Sequence, residues 1–278
     1  MPHASVQLPH QPPSEGTLER WAYDYITCDS LRAKMEPGVP PTLRVQHVVP
    51  LRVEPPGRPK ELQVSWDKYK APRSAHALRS PEKRAHLLHT FWHHELQAAE
   101  LLCWAVLAFP DTPPAFGRGL INICLDEIRH MSMYREQLRR LGFDVGSFPV
   151  RDWFWERAPA ATTARQFLAL MGLGFEAGNL DHSQRFEHLF MEAGDPACSH
   201  LMHVVGEEEV AHVAFAAHWF HELGATLDFA GWLAELPRPL SPMVMRGKPL
   251  ARERRTRAGL DKRFLDELEA WQPVSPGG

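Results

Sequence analysis

The chain has 278 residues, 31 Lys and Arg against 34 Asp and Glu, a formal net charge of −3, and 44% hydrophobic residues. That balance fits a folded globular chain of one large or two small domains, and it excludes disordered, collagen-like and strongly basic nucleic-acid-binding compositions. No apolar run approaches the roughly 20 residues that cross a bilayer, residues 1–16 lack the apolar stretch of a secretory leader, and no two cysteines form a Cys-x-x-Cys pair. A cytoplasmic protein with reduced thiols and no membrane span is expected.

Proline placement organises the chain, because proline breaks helix interiors. Residues 1–79 read as a proline-rich extension, with a helix over Thr17 to Met35 and then extended chain from Pro37 to Pro72 that wraps the remainder. Ser80-Pro81-Glu82 supplies a capping side chain, a proline at the first helical position and an acid at the positive helix end, so a first long helix is expected over 81–109. Thr112-Pro113 and Asp195-Pro196 repeat the signal, and Leu141-Gly142, Gly194 and Leu223-Gly224 act as stops. Further long helices follow over 113–141, 163–193 and 196–223. The first two and the last two are joined by short turns, hence two antiparallel hairpins. The connection 142–162 spans ~60 Å when extended, enough to run along a ~40 Å helix and begin the second hairpin from the other end. An all-α four-helix bundle with one long crossover is predicted over 80–224. Residues 225–278 form a basic C-terminal extension, with eight Lys or Arg against two acids from Arg246 to Arg263, and a short amphipathic helix from Asp261 to Trp271.

The apolar stripes of these helices carry acids. In steps of three and four the second helix reads Phe116, Leu120, Ile123, Glu127, His130, Tyr134, Leu138, and the fourth reads Cys198, Met202, Val205, Glu209, His212, Ala216, Trp219. The first helix places Glu95 between Phe91 and Ala98, and the third places Glu176 between Leu173 and Leu180. Each lone Glu precedes its Glu-x-x-His by a similar distance, 32 residues in one hairpin and 33 in the other. Residues i and i+3 share a helix face, so one helix offers a carboxylate and an imidazole to the same ion. Four ionised carboxylates in an apolar core cost several kcal/mol each, roughly, unless they take up protons or cations. Two divalent cations cancel four such charges, and an oxygen-rich, imidazole-containing set suits iron or manganese better than tetrahedral zinc. The competing reading makes these glutamates salt-bridged acids on amphipathic helices. Glu100 rivals Glu95, and Glu208 rivals Glu209 through its i,i+4 relation to His212.

Asp126-Glu127-Ile128-Arg129-His130 resembles the Asp-Glu-x-Arg-His signature of bacterial di-iron monooxygenases. Together with His94-Glu95-Leu96-Gln97-Ala98-Ala99-Glu100-Leu101 and Glu207-Glu208-Glu209-Val210-Ala211-His212-Val213-Ala214-Phe215, it makes residues 80–225 similar to an uncharacterised bacterial ferritin-like family. The resemblance implies a ferritin-like bundle whose two iron ions, or manganese, are held by Glu95, Glu127, His130, Glu176, Glu209 and His212. It also implies that Asp126 accepts a hydrogen bond from the histidine of the opposite motif, with Arg129 as its charge partner. The second motif has Glu208 for Asp and Ala211 for Arg, so a matching pair on the other side is left open.

Such a protein is expected to be an oxidoreductase, an oxygenase or oxidase, using O2, an electron donor and a small-molecule substrate. Metal handling or peroxide scavenging without an organic substrate is the second expectation. A tRNA hydroxylase is the third, with the basic tail on phosphates. Neither the substrate nor the oligomeric state is written in the sequence. Tyr134 lies one turn beyond His130, as a core tyrosine or an electron relay. Cys103, Cys124 and Cys198 read as small apolar fillers, and Gly172-Leu173-Gly174 as close helix packing. His86, His89, His93 and His94 read as a partly exposed helix face. Trp153-Phe154-Trp155 either binds the crossover to the bundle or walls a channel.

Overall fold

The computed structural model describes residues 11–44 and 49–273; residues 1–10 of the N-terminal extension, 45–48 of its extended stretch and 274–278 of the tail lie outside that description. The chain is all-α, and among the described residues no strand forms beyond one isolated parallel bridge between Val64 and Val150.

Two of the long helices start where a first-turn amide finds a side-chain acceptor. Ser80 accepts from the Lys83 amide and Pro81 opens α4 (Pro81–Ala108). Asp195 does the same for the Cys198 amide at the head of α8 (Pro196–Glu222), just after Gly194, whose φ of +82° strains any L side chain. The Thr112-Pro113 cap does not form. Thr112 Oγ1 turns back to donate to the Phe109 carbonyl at 2.8 Å, and α5 (Pro114–Arg140) begins one residue later with no capping side chain. The third long helix departs from regularity: α6 (Ala164–Leu170) and α7 (Ala177–Glu192) are joined by a π-helical turn over Met171–Glu176. Such a turn inserts a residue into the helical path and is frequent at functional sites. Gly172 sits in it because a Cβ there would lie 2.2 Å from the Ala216 Cβ of α8, so the expected close packing is present.

The expected N-terminal helix over Thr17 to Met35 is broken in two, α1 (Leu18–Thr27) and α2 (Leu31–Met35). Cys28 is extended, and Ser30 uses its hydroxyl to cap α2 from the Ala33 amide, a polar side chain competing successfully with helix continuation. After the short α3 (Ala75–Leu78) come the long helices, and then α9 (Phe229–Glu235), α10 (Arg252–Arg257) and α11 (Lys262–Ala270), the last capped by Asp261. One apolar core runs from Leu18 to Leu268, so both extensions share it with the long helices.

The hairpins α4–α5 and α7–α8 are the most extensive packing pairs, and α8 also meets α5 and α6. The crossover runs alongside α4 in the same direction. The Gly146 amide donates to His89 Nε2 (2.8 Å), Asp152 meets His93 (2.9 Å), the Phe154 amide donates to Gln97 (2.9 Å), and the Trp155 indole donates to Glu100 (2.7 Å). Both sets of numbers rise together, so α6 starts at the end where α4 finishes. His89 and His93 are therefore buried anchors of the crossover, correcting the expectation of a partly exposed face.

Candidate metal centre

The helical repeat puts Glu127 and His130 of α5 on one face, and Glu209 and His212 of α8 on the face turned toward them. Glu95 enters from α4, and Glu176 ends the π-helical turn. All six side chains are buried. Glu95, Glu127, His130 and Glu209 each offer a ligand atom within 4.8 Å of the others. His212 Nδ1 lies 3.1 Å from Glu127 and 3.0 Å from Glu209, and His130 Nδ1 lies 3.2 Å from Glu127 and 3.8 Å from Glu209. Glu127 and Glu209 thus each touch both imidazoles. Glu95 lies beside Glu127, and Glu176 beside Glu209.

The outer nitrogens are committed elsewhere. His130 Nε2 is 2.7 Å from Glu208, and His212 Nε2 is 3.3 Å from Asp126. Hydrogen bonds from Arg129 and His130 outweigh burial at Glu208, and the His212 hydrogen bond dominates at Asp126, so both stay below the usual carboxylate range. An ionised carboxylate only accepts, so each Nε2 carries the proton. Each inward Nδ1 then faces carboxylate oxygens with a lone pair, which is repulsive unless a second proton or a cation lies between.

Protonation follows that geometry. Burial, then repulsion from Glu127 and Glu209, pushes Glu95 well up; burial and repulsion from Glu209 and Glu127 do the same to Glu176. Burial would raise Glu127 too, but the His212 charge and hydrogen bonds from both histidines hold it far down. Burial opposes charging His130 and His212, yet the neighbouring glutamates raise both. Burial and the neighbouring charges thus favour the protonated form at Glu95, Glu176, His130 and His212. Glu127 Oε1, fully enclosed, has no hydrogen-bond partner of acceptable geometry among the described residues.

The rivals resolve on contacts. Glu100 points away into a separate buried network, with Lys34 Nζ at 2.7 Å, Arg58 Nη1 at 2.6 Å and the Trp155 indole at 2.7 Å. Glu208 faces outward to Arg129 (2.6 Å) as well as His130, and Arg129 also reaches Asp126 at 3.5 Å. The departure from Asp to Glu in the second motif thus leaves the pairing two-sided, with one arginine serving both acids. Tyr134 is buried beside the cluster, its hydroxyl nearest the Met202 sulfur at 3.7 Å. Cys103 and Cys124 are buried, with sulfurs 3.6 Å apart. Asn179, one turn beyond Glu176, donates to Glu209 at 3.1 Å. Sequence reading missed it, although its i+3 relation to Glu176 was a usable signal.

A cavity of about 1120 Å³ ends on Glu95 and Glu176. Trp153 and Phe154 line it, while Trp155 ties the crossover to the bundle through Glu100. The α10 arginines of the basic segment are paired with acids: Arg252 with Asp266 and Glu269, Arg254 with Glu187 and Glu207, Arg255 with Asp181, Arg257 with Glu207. No helix among the described residues is long and apolar enough to cross a membrane.

An uncharacterized protein of Haemophilus influenzae is 27% identical over 195 residues, 66% of this chain and 67% of its own length. No solved structure matches the chain. Residues 20–266 match the model of a family described as "Protein of unknown function (DUF455)". That span takes in every residue of the cluster and most of both extensions, and the chain belongs to the DUF455 family.

Proposed function

We propose that this chain is a ferritin-like non-haem dinuclear metal protein. Glu95, Glu127, His130, Glu176, Glu209 and His212 would hold two iron ions, or manganese, and the protein would be an O2-activating oxidoreductase acting on a small molecule in the adjoining cavity. The observation that carries the reading is the orientation of the two imidazoles. Each has its Nε2 committed to an outer carboxylate and its Nδ1 turned onto the buried Glu127 and Glu209, beside Glu95 and Glu176, the two acids of the cluster that line the cavity. Glu127 and Glu209, which touch both rings, would hold the ions together with Glu95 and Glu176 beside them, and the pair would supply redox chemistry.

The chain's own residues prepare the place. Glu208 and Asp126 fix tautomer and ring orientation, Asn179 orients Glu209, and the aromatic walls keep water from the reacting substrate. A cavity ending on two of the acids serves an organic substrate, which storage or peroxide scavenging does not require. The basic tail has its α10 arginines occupied by acids, so the RNA reading loses its anchor.

The test is metal analysis of the purified full chain after loading with ferrous or manganous ion and dialysis, followed by O2 uptake of the reduced protein. Two ions per chain and O2 consumption abolished by Glu127→Ala are expected. Retention of less than one ion per chain would remove the basis of the reading.

A further inference from the structure

The walls of the cavity are aromatic, its most buried acids are Glu95 and Glu176, and its exposed edge carries more cations than acids. Phe154 and Phe175 stack at 4.6 Å between ring centroids, and Phe91 meets Phe186 edge-on at 5.3 Å. Glu95 and Glu176 are only 3% and 8% exposed, whereas Lys68 and Lys70 are exposed and Arg185 is half-buried. Of the cavity's other arginines, Arg151 and Arg157 are both taken up by Glu156, at 2.6 and 2.9 Å. Lys68, Lys70 and Arg185 have no carboxylate partner among the described residues; Arg185 lies over the Phe186 ring, 5.2 Å from its centroid. An unpaired guanidinium and two ammonium groups thus outnumber the one exposed acid of the outer part, Asp67, which accepts from the Ser65 hydroxyl at 3.1 Å, in a cavity whose inner acids are Glu95 and Glu176.

We propose that the cavity takes an amphipathic anion: an apolar body seated among Phe91, Phe154, Phe175 and Phe186, and a carboxylate or phosphate head held by Arg185 with Lys68 and Lys70. As the substrate class of the site, this rests on the dinuclear-centre reading above. The polarity sets the orientation of the ligand. Its anionic head stays at the rim, where the charge is matched, and its apolar end is carried toward Glu95 and Glu176. A guanidinium fork suits a carboxylate or a phosphate oxygen pair. An ammonium-bearing ligand would meet three cations, and a neutral alcohol would leave them unanswered.

Calorimetric titration of the full chain with decanoate, decyl phosphate, decanol and decylamine tests this, with metal content measured on the same preparations. Decanoate and decyl phosphate are expected to bind at one site per chain, about ten- to a hundredfold more tightly than decanol, and decylamine not at all. Whichever of the two anions binds more tightly identifies the head group. Arg185→Gln is expected to bring the anions to the level of decanol without changing metal content, and Lys70→Gln to weaken them less. Ala98→Trp, which fills the wall near Glu95, is expected to weaken anions and alcohol alike. Equal binding of alcohol and anion, preference for the amine, or anion binding indifferent to Arg185→Gln would overturn the proposal. A chain that holds no metal yet binds decanoate through Arg185 keeps the anion site and removes the dinuclear centre. A loaded chain without anion preference does the reverse.

Discussion

His130 Nε2 and Glu208 meet at 2.7 Å across the two hairpins, and His212 reaches Asp126 at 3.3 Å in the opposite sense. Each motif thus supplies the acid that orients the other motif's histidine, and Arg129 ties the two acids together. Removing such a partner costs about ten- to a hundredfold in metal affinity. Glu208→Gln is expected to fall in that range, and Asp126→Asn to cost less because its contact is longer. Chelator competition on folded protein measures both. Unchanged affinity in Glu208→Gln would show that the imidazole needs no outer anchor.

Protons held by the cluster must leave before cations can enter. Burial and mutual repulsion keep Glu95 and Glu176 protonated, and the glutamates raise His130 and His212. Metal uptake near neutral pH should therefore release roughly two to four protons per chain, with affinity falling as pH drops. Calorimetry in buffers of different ionisation enthalpy counts them. Uptake without release would mean that the metal-free cluster carries its charge uncompensated.

The sequence made the cluster legible because a 3.6-residue repeat leaves an acid on an apolar stripe nowhere to hide, and the 32- and 33-residue spacings paired the hairpins. It did not reveal the π-helical turn before Glu176, whose register depends on how closely α8 approaches Gly172. Nor did it show that α4 is covered on nearly every side, which turns His89, His93 and Glu100 from surface or ligand candidates into buried anchors. Those contacts come from partners more than 40 residues away, such as Arg58 and Trp155, and local periodicity carries no trace of them.

Glu176→Gln separates metal binding from folding. Burial and repulsion from Glu209 push this acid toward its neutral form, so the amide should change metal-free stability by less than about 0.5 kcal/mol. Metal saturation at a thousandfold over Kd stabilises by about 4 kcal/mol, and most of that gain should vanish in the variant. Thermal unfolding with and without added metal gives both numbers. A full metal-dependent gain in Glu176→Gln would take this residue out of the site.

Glu100→Gln should behave in the opposite way. Lys34, fully enclosed, has Glu100 as its carboxylate partner, while Arg58 divides between Glu100 and Asp152, the latter at 2.9 Å. Removing the charge leaves the buried Lys34 ammonium without a carboxylate, a loss of about 3–5 kcal/mol, while metal content per folded chain stays at the native level. Denaturant unfolding and metal analysis on one preparation decide it; native stability together with lost metal would make Glu100 the ligand after all.

His89 makes the crossover sensitive to acid. Its Nε2 accepts from the Gly146 amide at 2.8 Å, which requires a neutral ring, and burial, helped by the nearby His93 and His86, lowers its pKa to about 4. As pH falls below the ordinary histidine value near 6.5, the unfolded chain takes the proton before the folded one does, so stability drops until about pH 4 and then levels off. The loss should total about 3 kcal/mol. His130 and His212 act with the opposite sign, since their raised values favour the folded state at low pH, and they mask part of the slope in the native chain. The difference between native protein and His89→Gln isolates the term, because the amide oxygen still accepts from Gly146 but does not titrate in this window. Denaturant unfolding of both from pH 4 to 7 should show the variant losing less stability toward acid, whereas parallel curves would mean that the Gly146 contact forms without regard to the charge on the ring.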